Sequence, residues 1–291
     1  MAISTTRLLR SRAITDYLGV AKPKGILPHL ITAAAGIVLA SEGGPQPSLL
    51  AFTLLGGACL AAAANAFNSY LDRDIDALMT RTARRPLPSG RVSPDHALIF
   101  GVGLGVVGVT ILSLFVNWPA ATLAVVALFY YAAYTLFLKR RSFWAAVIGT
   151  GVGAMPPMIG WVAVTQRIEI TPLILSGIIA LWTLPHFWAL AICRRADFER
   201  ARLRVLPARG AVAWVVACSS LLVAASLLVA PTAQLSFFYL ASASLLGAGF
   251  LSLAARMGRK GPEREARRLY RYSIFYIAVL FVAMIVDKLM F

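Results

Sequence analysis

The sequence predicts an all-α polytopic membrane protein: about nine transmembrane helices around a central cavity, with the N-terminus cytoplasmic. Three observations predict it. First, 59% of the 291 residues are hydrophobic, only 14% are charged, and mean hydropathy is +0.76, a balance foreign to soluble domains. Second, nine apolar runs each approach the roughly 20 residues needed to span a bilayer. Third, the basic residues come in bursts between those runs. The net charge of +16 is therefore a topological signal and not a nucleic-acid footprint.

In chain order, residues 1–24 form a basic N-terminal segment carrying Arg7, Arg10 and Arg12. No short apolar core and cleavage site follows at once, so no removable signal peptide is expected. The apolar runs fall near 25–41, 48–70, 95–117, 119–138, 143–165, 171–193, 211–231, 234–255 and 272–290, making 25–291 a single transmembrane domain. With the N-terminus inside, every Lys and Arg of the 28 except Arg167 and Lys288 lies on the cytoplasmic side. Cys59, Cys193 and Cys218 lie in or at the ends of apolar runs without CxxC spacing, which suits packing better than a disulfide framework or metal cluster.

The second run ends in Asn65-Ala66-Phe67-Asn68-Ser69-Tyr70-Leu71-Asp72-Arg73-Asp74-Ile75-Asp76. On a helix Asn68, Asp72 and Asp76 share one face, Asn65 extends the stripe by a turn, and Asp74 lies off it. Carboxylates this close resist ionising together unless a cation lies between them. Hard oxygen donors suit Mg²⁺, which takes remaining ligands from water and substrate phosphates. Arg81, Arg84, Arg85 and Arg91 follow where guanidinium forks meet a phosphate. The same charges on a solvated loop would be the plain alternative, but polar groups at the end of a membrane span are functional candidates first.

Two further polar patches stand out. Tyr130, Tyr131, Tyr134 and Lys139 close the fourth run; the first two suit interfacial anchoring, and Tyr134 and Lys139 suit diphosphate contact. The sixth run holds Trp182, Pro185, His186, Arg194 and Asp197. If its helix continues, His186 and Asp197 point the same way, with His186 about 16 Å deeper. Pro185 is expected to kink the helix beside His186. A buried histidine bonded to a neighbour competes there with a base, ligand or cation stabiliser. In the fifth run, Gly149-Thr150-Gly151-Val152-Gly153 and Pro156-Pro157 predict close helix packing, with a cavity wall as the alternative.

These residues resemble the UbiA-type intramembrane prenyltransferase superfamily and, within it, the heme O synthase (protoheme IX farnesyltransferase) group. The stretches that carry the resemblance are Asp16-Tyr17-Leu18 with Lys22-Pro23-Lys24, Asn68 through Asp76 to Arg85-Pro86-Leu87, Tyr134 to Arg140, Pro156 to Trp161 and Pro185 to Ala191. The resemblance implies a Mg²⁺-dependent enzyme of the bacterial inner membrane whose site faces the cytoplasm. It would transfer farnesyl from farnesyl diphosphate to a vinyl group of heme b, heme being substrate and not cofactor. Metal ligation then falls to Asn68, Asp72, Asp76 and Asp197. Diphosphate or acceptor contact falls to Lys22, Asn65, Arg81, Arg84, Arg85, Tyr134, Lys139, Trp182 and Arg194, with His186 on the heme side. Partners would be the lipid bilayer and a downstream heme A synthase or terminal oxidase assembly, with no nucleic acid. Two departures bear on the acceptor. Asp197 lacks the acidic mate four residues away that is common in the superfamily, and Arg202-Leu203-Arg204-Val205-Leu206-Pro207 replaces Gly-Ile-Pro-Met-Leu-Pro. A prenyltransferase acting on another aromatic, quinone or tetrapyrrole acceptor, and a transporter, are the alternatives; a transporter would carry its charges near the bilayer midplane.

Overall fold

A computed structural model describes residues 13–139, 144–203, 205–207, 210–257 and 262–291. Arg7, Arg10, Arg12, Arg140, Arg141, Phe143 and Arg204 lie outside the described residues. Among the described residues there is helix, turn and coil but no strand. A helical stretch at 13–21 leads into α1 (Pro23–Ala40), α2 (Pro47–Leu71), the short α3 (Arg73–Leu78) and α4 (Pro94–Phe115). Next come α5 (Trp118–Ala133), prolonged by a π-helical turn (Tyr134–Leu138), then α6 (Trp144–Gly153) and α7 (Met155–Thr165). The chain ends with α8 (Ile170–Cys193), the short α9 (Arg195–Arg200), α10 (Ala211–Ala233), α11 (Phe237–Arg256) and α12 (Pro262–Met290). Among the described residues nine spans are long and apolar enough to cross a membrane, and the protein is an integral, multi-pass membrane protein.

The turns follow from local chemistry. Prolines occupy the first helical positions of α1, α2, α4 and α5, where a missing N–H costs nothing. Ser93 caps α4 by accepting from the His96 N–H. Asn117 caps α5 through Ala120 N–H and donates its amide to the Val162 and Ala163 carbonyls at the end of α7. At the far end of the bundle Asp287 accepts from Ser236 N–H, Ser236 Oγ–H and Tyr239 N–H, closing the start of α11 with a buried carboxylate.

Close packing rests on small residues, as it must where lipid removes the hydrophobic drive between helices. A Cβ on Gly160 would lie 2.1 Å from the Ala33 carbonyl oxygen, and one on Gly36 would lie 2.2 Å from that of Pro157. The expected close packing of the double-proline segment is thus a backbone-to-backbone contact between α1 and α7. The fifth run breaks at Ala154, and Pro156 and Pro157 fall in the first turn of α7. The largest core gathers on α8, α10, α11 and α12 around fully buried Trp188, Tyr239, Phe250, Tyr276 and Phe281.

Two expectations are corrected. The last helix begins at Pro262 and not near 272: its charged first turns are amphipathic, with Ala266 and Leu269 fully buried and Glu265 paired to Arg268 at 2.8 Å. The sixth helix does not continue to Asp197. It stops at Cys193, Arg194 leaves helical geometry at φ −124°, and α9 starts afresh, so the shared face of His186 and Asp197 does not exist. Pro185 lies inside an α8 that runs unbroken to Cys193.

Gly160→Ala drives a methyl into backbone, which cannot yield as a side chain can, so it costs about 1–3 kcal/mol. A melt in detergent followed by size-exclusion chromatography checks this; an unchanged melting temperature contradicts the α1–α7 contact.

Candidate active site

A cavity of about 190 Å³ opens at the end of the bundle where α2, the π-helical turn and α8 finish. It is built around the α2–α3 joint. Asp72 takes φ −98° and ψ 6° there, yet Asp72 N–H still reaches Asn68 O at 2.9 Å and Asp76 N–H reaches Asp72 O at 2.8 Å. The i, i+4 spacing survives the joint, and Asn68, Asp72 and Asp76 all line the cavity. Asp74, off that face, is exposed.

Cations from separated parts of the chain meet these groups. Lys139 pairs with Asp72 Oδ2, and its own N–H bonds back to Tyr134 O across the wide π turn. Arg85 Nη1 lies 2.8 Å from Asp76 Oδ2. Lys22 Nζ donates to Asn68 Oδ1 at 3.1 Å, and Asn68 Nδ2 donates to Asp72 Oδ2 at 2.5 Å. Lys22 sits in the left-handed region at φ 52°, a conformation costly for a residue with a Cβ. Among the described residues the buried Asp72 Oδ1 has no hydrogen-bond partner.

The electrostatics follow from this crowding. Burial first, then Arg85 and Lys139, pulls Lys22 down to about 8, against the opposing pull of Asp76 and Asp72. Burial, followed by Arg85, likewise lowers Arg81, although Asp76, Tyr270 and Asp197 oppose it. Four cations, Lys22, Arg81, Arg85 and Lys139, face two carboxylates, Asp72 and Asp76. The surplus is positive, as an anion site requires.

The other candidates lie around this cluster. Asp197 is buried behind the cavity wall, accepting from Thr80 N–H at 3.1 Å and from Arg200. Burial would raise its pKa, but the Arg200 and Thr80 hydrogen bonds outweigh it and hold the carboxyl below its ordinary value. Arg200 also donates to Thr80 Oγ1 at 2.5 Å, fastening the loop after α3 to α9. Asp197 does not join Asp72 and Asp76, and among the described residues no three His, Cys, Asp or Glu side chains cluster as a metal site would. Asn65 instead donates to Ala21 O at 2.8 Å, holding the first helical stretch to α2. Arg84 is exposed and offers its carbonyl to Arg91. Arg194 is exposed at the end of α8. His186 and Trp182 lie apart from the cavity lining: His186 Nδ1 is 2.7 Å from Ser273 Oγ, and its ring lies 4.6 Å from Trp182 and 4.8 Å from Tyr270.

Sequence reasoning missed the apolar wall, formed by Ile75, Met79, Phe187, Leu190, Phe198, Leu203 and Val205. A signal was present: Ile75 and Met79 stand three and seven residues beyond Asp72, on the helical face already singled out. Leu203 and Val205 come from the departing loop, where Arg202 takes φ 54°, a left-handed position where glycine fits without strain. An anionic head beside an oily wall describes an amphiphilic phosphate.

The profile of the UbiA prenyltransferase family matches residues 29–282. A protoheme IX farnesyltransferase of Roseiflexus sp. (strain RS-1) is 42% identical over 96% of this chain and 53% of its own; the chain spans about half the length of that relative. One of Gloeobacter violaceus is 41% identical over 96% of this chain and 93% of its own. Among solved structures, a study of digeranylgeranylglyceryl phosphate synthase in membranes superposes with TM-score 0.78 at 18% identity, covering 96% and 99% of the two chains. A UbiA homolog from Archaeoglobus fulgidus bound to GPP and Mg²⁺ gives TM-score 0.64 at 15% identity, covering 92% and 99%. At these identities the structures show a shared fold.

Lys22 carries charge below its pKa of about 8 and loses it above. Affinity for inorganic pyrophosphate therefore weakens as pH rises through that value, by up to about tenfold per unit, and Lys22→Met removes this step. Calorimetric titrations across the range check it; an identical profile in wild type and variant contradicts the placement of Lys22.

Proposed function

The chain belongs to the UbiA prenyltransferase family, and we propose that it transfers the farnesyl group of farnesyl diphosphate to a vinyl side chain of heme b, making heme O. One observation carries the reading: a buried carboxylate, Asp72, keeps an oxygen unpartnered among the described residues in a cavity otherwise rich in cations and walled by apolar side chains. The names of the relatives at about 40% identity supply the acceptor and the prenyl donor.

The donor set fits Mg²⁺. Asp72 Oδ1 is orphaned among the described residues, and Asn68, Asp72 and Asp76 offer the hard oxygens that the ion prefers. These three would hold it, with Asp197 supporting the site through Thr80 and the loop. When bound, the ion neutralises charge that builds on the departing diphosphate. Lys139 and Arg85, now paired with the aspartates, are close enough to turn to diphosphate oxygens, where Lys22 and Arg81 join them. Positive charge fixed at that end favours breaking the bond from C1 of the farnesyl chain to oxygen, the electron pair leaving with the diphosphate. Phe187, Leu190, Phe198 and Leu203 offer the isoprenoid an apolar lodging that keeps water from the allylic cation. The vinyl π pair bonds to C1 of that cation and leaves positive charge on the carbon next to the porphyrin ring, where water adds and releases a proton to solvent to complete the hydroxyethylfarnesyl side chain. His186, one residue before the cavity-lining Phe187, serves the acceptor side.

The basic bias of the loops supports placing the cavity at the cytoplasmic face of a bacterial inner membrane, with residues 1–24 on the same side and 25–291 as one prenyltransferase domain. A heme A synthase or terminal oxidase assembly would receive the product.

Purified protein incubated with heme b, farnesyl diphosphate and Mg²⁺ is expected to yield heme O by mass spectrometry, and EDTA is expected to abolish it. Asp72→Ala is expected to lower turnover at least about 100-fold while the protein remains monodisperse. Diphosphate release without heme O from folded protein contradicts heme as acceptor. Near-normal turnover by Asp72→Ala contradicts the role of the carboxylate.

A further inference from the structure

We propose that Ser273 is the positioning residue for His186: it accepts the Nδ1 hydrogen and leaves the lone pair on Nε2. The inference rests on the reading of His186 as an acceptor-side group and says how the fold prepares it.

The case is a count of hydrogens. Ser273, on α12, is fully buried. Its Oγ lies 2.7 Å from His186 Nδ1 and 2.7 Å from the Tyr270 carbonyl oxygen. A hydroxyl has one hydrogen, and a carbonyl oxygen only accepts. Both short contacts are hydrogen bonds only if Ser273 donates to Tyr270 O, so its lone pair faces Nδ1 and Nδ1 is the donor. A neutral imidazole protonated at Nδ1 carries its lone pair on Nε2. The ring's hydrogen bond to Ser273 falls on Nδ1, so it is the other nitrogen that carries the lone pair.

The ring is also held against rotation. Trp182 stacks on one side at 4.6 Å with an interplanar angle of 25°, and Tyr270 lies at 4.8 Å and 31°. Trp182 is itself fixed, its Nε1–H donating to the Ser273 carbonyl at 2.7 Å. Ser273 thus anchors the imidazole through its hydroxyl and the indole through its backbone. The cluster lies apart from the lining of the diphosphate cavity, to which Phe187, next in sequence to His186, belongs.

The tautomer decides the chemistry. A lone pair on Nε2 can accept a proton or bind a metal ion of the acceptor. An N–H there could only donate, and the residue would lose either use. Partners that fix the second ring nitrogen of a functional histidine control tautomer and orientation together.

The test begins without substrates. The chain has three histidines, His29, His96 and His186, so ¹⁵N-histidine-labelled protein in bilayers gives few signals, and His186→Gln assigns the one that matters. The wild type is expected to show His186 protonated at Nδ1 only. Ser273→Ala is expected to shift it to the Nε2–H form or a mixture. The same variant should lower kcat for heme O formation by about 10- to 100-fold with KM for farnesyl diphosphate unchanged, and Ser273→Thr, which keeps the hydroxyl, should keep the tautomer. An Nε2–H wild type overturns the proposal and needs no variant to fold. An Nδ1–H wild type whose Ser273→Ala protein shows the same tautomer and normal kcat overturns it too. The tautomer is read in substrate-free protein, so it stands whether or not heme proves to be the acceptor.

Discussion

The structure depends on two aspartates that lie buried at the end of a membrane bundle and are paired with cations, Asp72 with the distant Lys139 and Asp76 with the nearby Arg85. Removing a carboxylate from water is expensive, and a buried charge whose partner is deleted costs about 3–5 kcal/mol. Asp72 therefore recruits Lys139, 67 residues away, and Asp76 recruits Arg85, while Lys22 is drawn to Asn68 from before α1. Two of the recruits come from irregular pieces of backbone, Lys22 from a left-handed residue and Lys139 from the end of a π turn, and Asp72 itself sits at a helix joint. Residues held in sparse conformations persist only where surrounding structure over-determines them, and here the ion pairs and the packing do so together.

The scaffold supplies rigidity where the cluster needs it. Backbone contact between α1 and α7 at Gly36 and Gly160 fixes the helix that follows Lys22. The Asp197–Thr80–Arg200 contacts fasten the α3 loop to α9, which places Arg81 and Arg85 on one side and Phe198 and Leu203 on the other. The cavity is polar at the aspartates, and its apolar wall combines Ile75 and Met79 from the aspartate-bearing segment with Phe187 and Leu190 of α8 and Phe198, Leu203 and Val205 from α9 and its following loop.

Much of this was legible in the sequence, for physical reasons. Apolar run length gave the spans, because a bilayer imposes it. Helical spacing placed Asn68, Asp72 and Asp76 together and set Asp74 apart. Legibility ended where tertiary partners decide. No local pattern pairs Lys139 with Asp72, or turns Asn65 toward the Ala21 carbonyl. The shared face drawn for His186 and Asp197 failed because the chain leaves the helix at Arg194, and no proline or glycine marks that point. The charged start of α12 looked like a loop because its burial, at Ala266 and Leu269, comes from neighbours that a window of sequence does not contain.

The central claim is that the ion pairs of Asp72 and Asp76 are a resting arrangement, exchanged when metal and diphosphate arrive together. The direct measurement is calorimetric titration of pyrophosphate into the protein with and without Mg²⁺, on wild type and Asp72→Asn. Binding is reciprocal between coupled ligands, so Mg²⁺ should tighten pyrophosphate by about 5- to 150-fold in the wild type and hardly at all in Asp72→Asn. Equal affinity with and without Mg²⁺ in wild-type protein would contradict the exchange and leave the aspartates as partners of their cations alone.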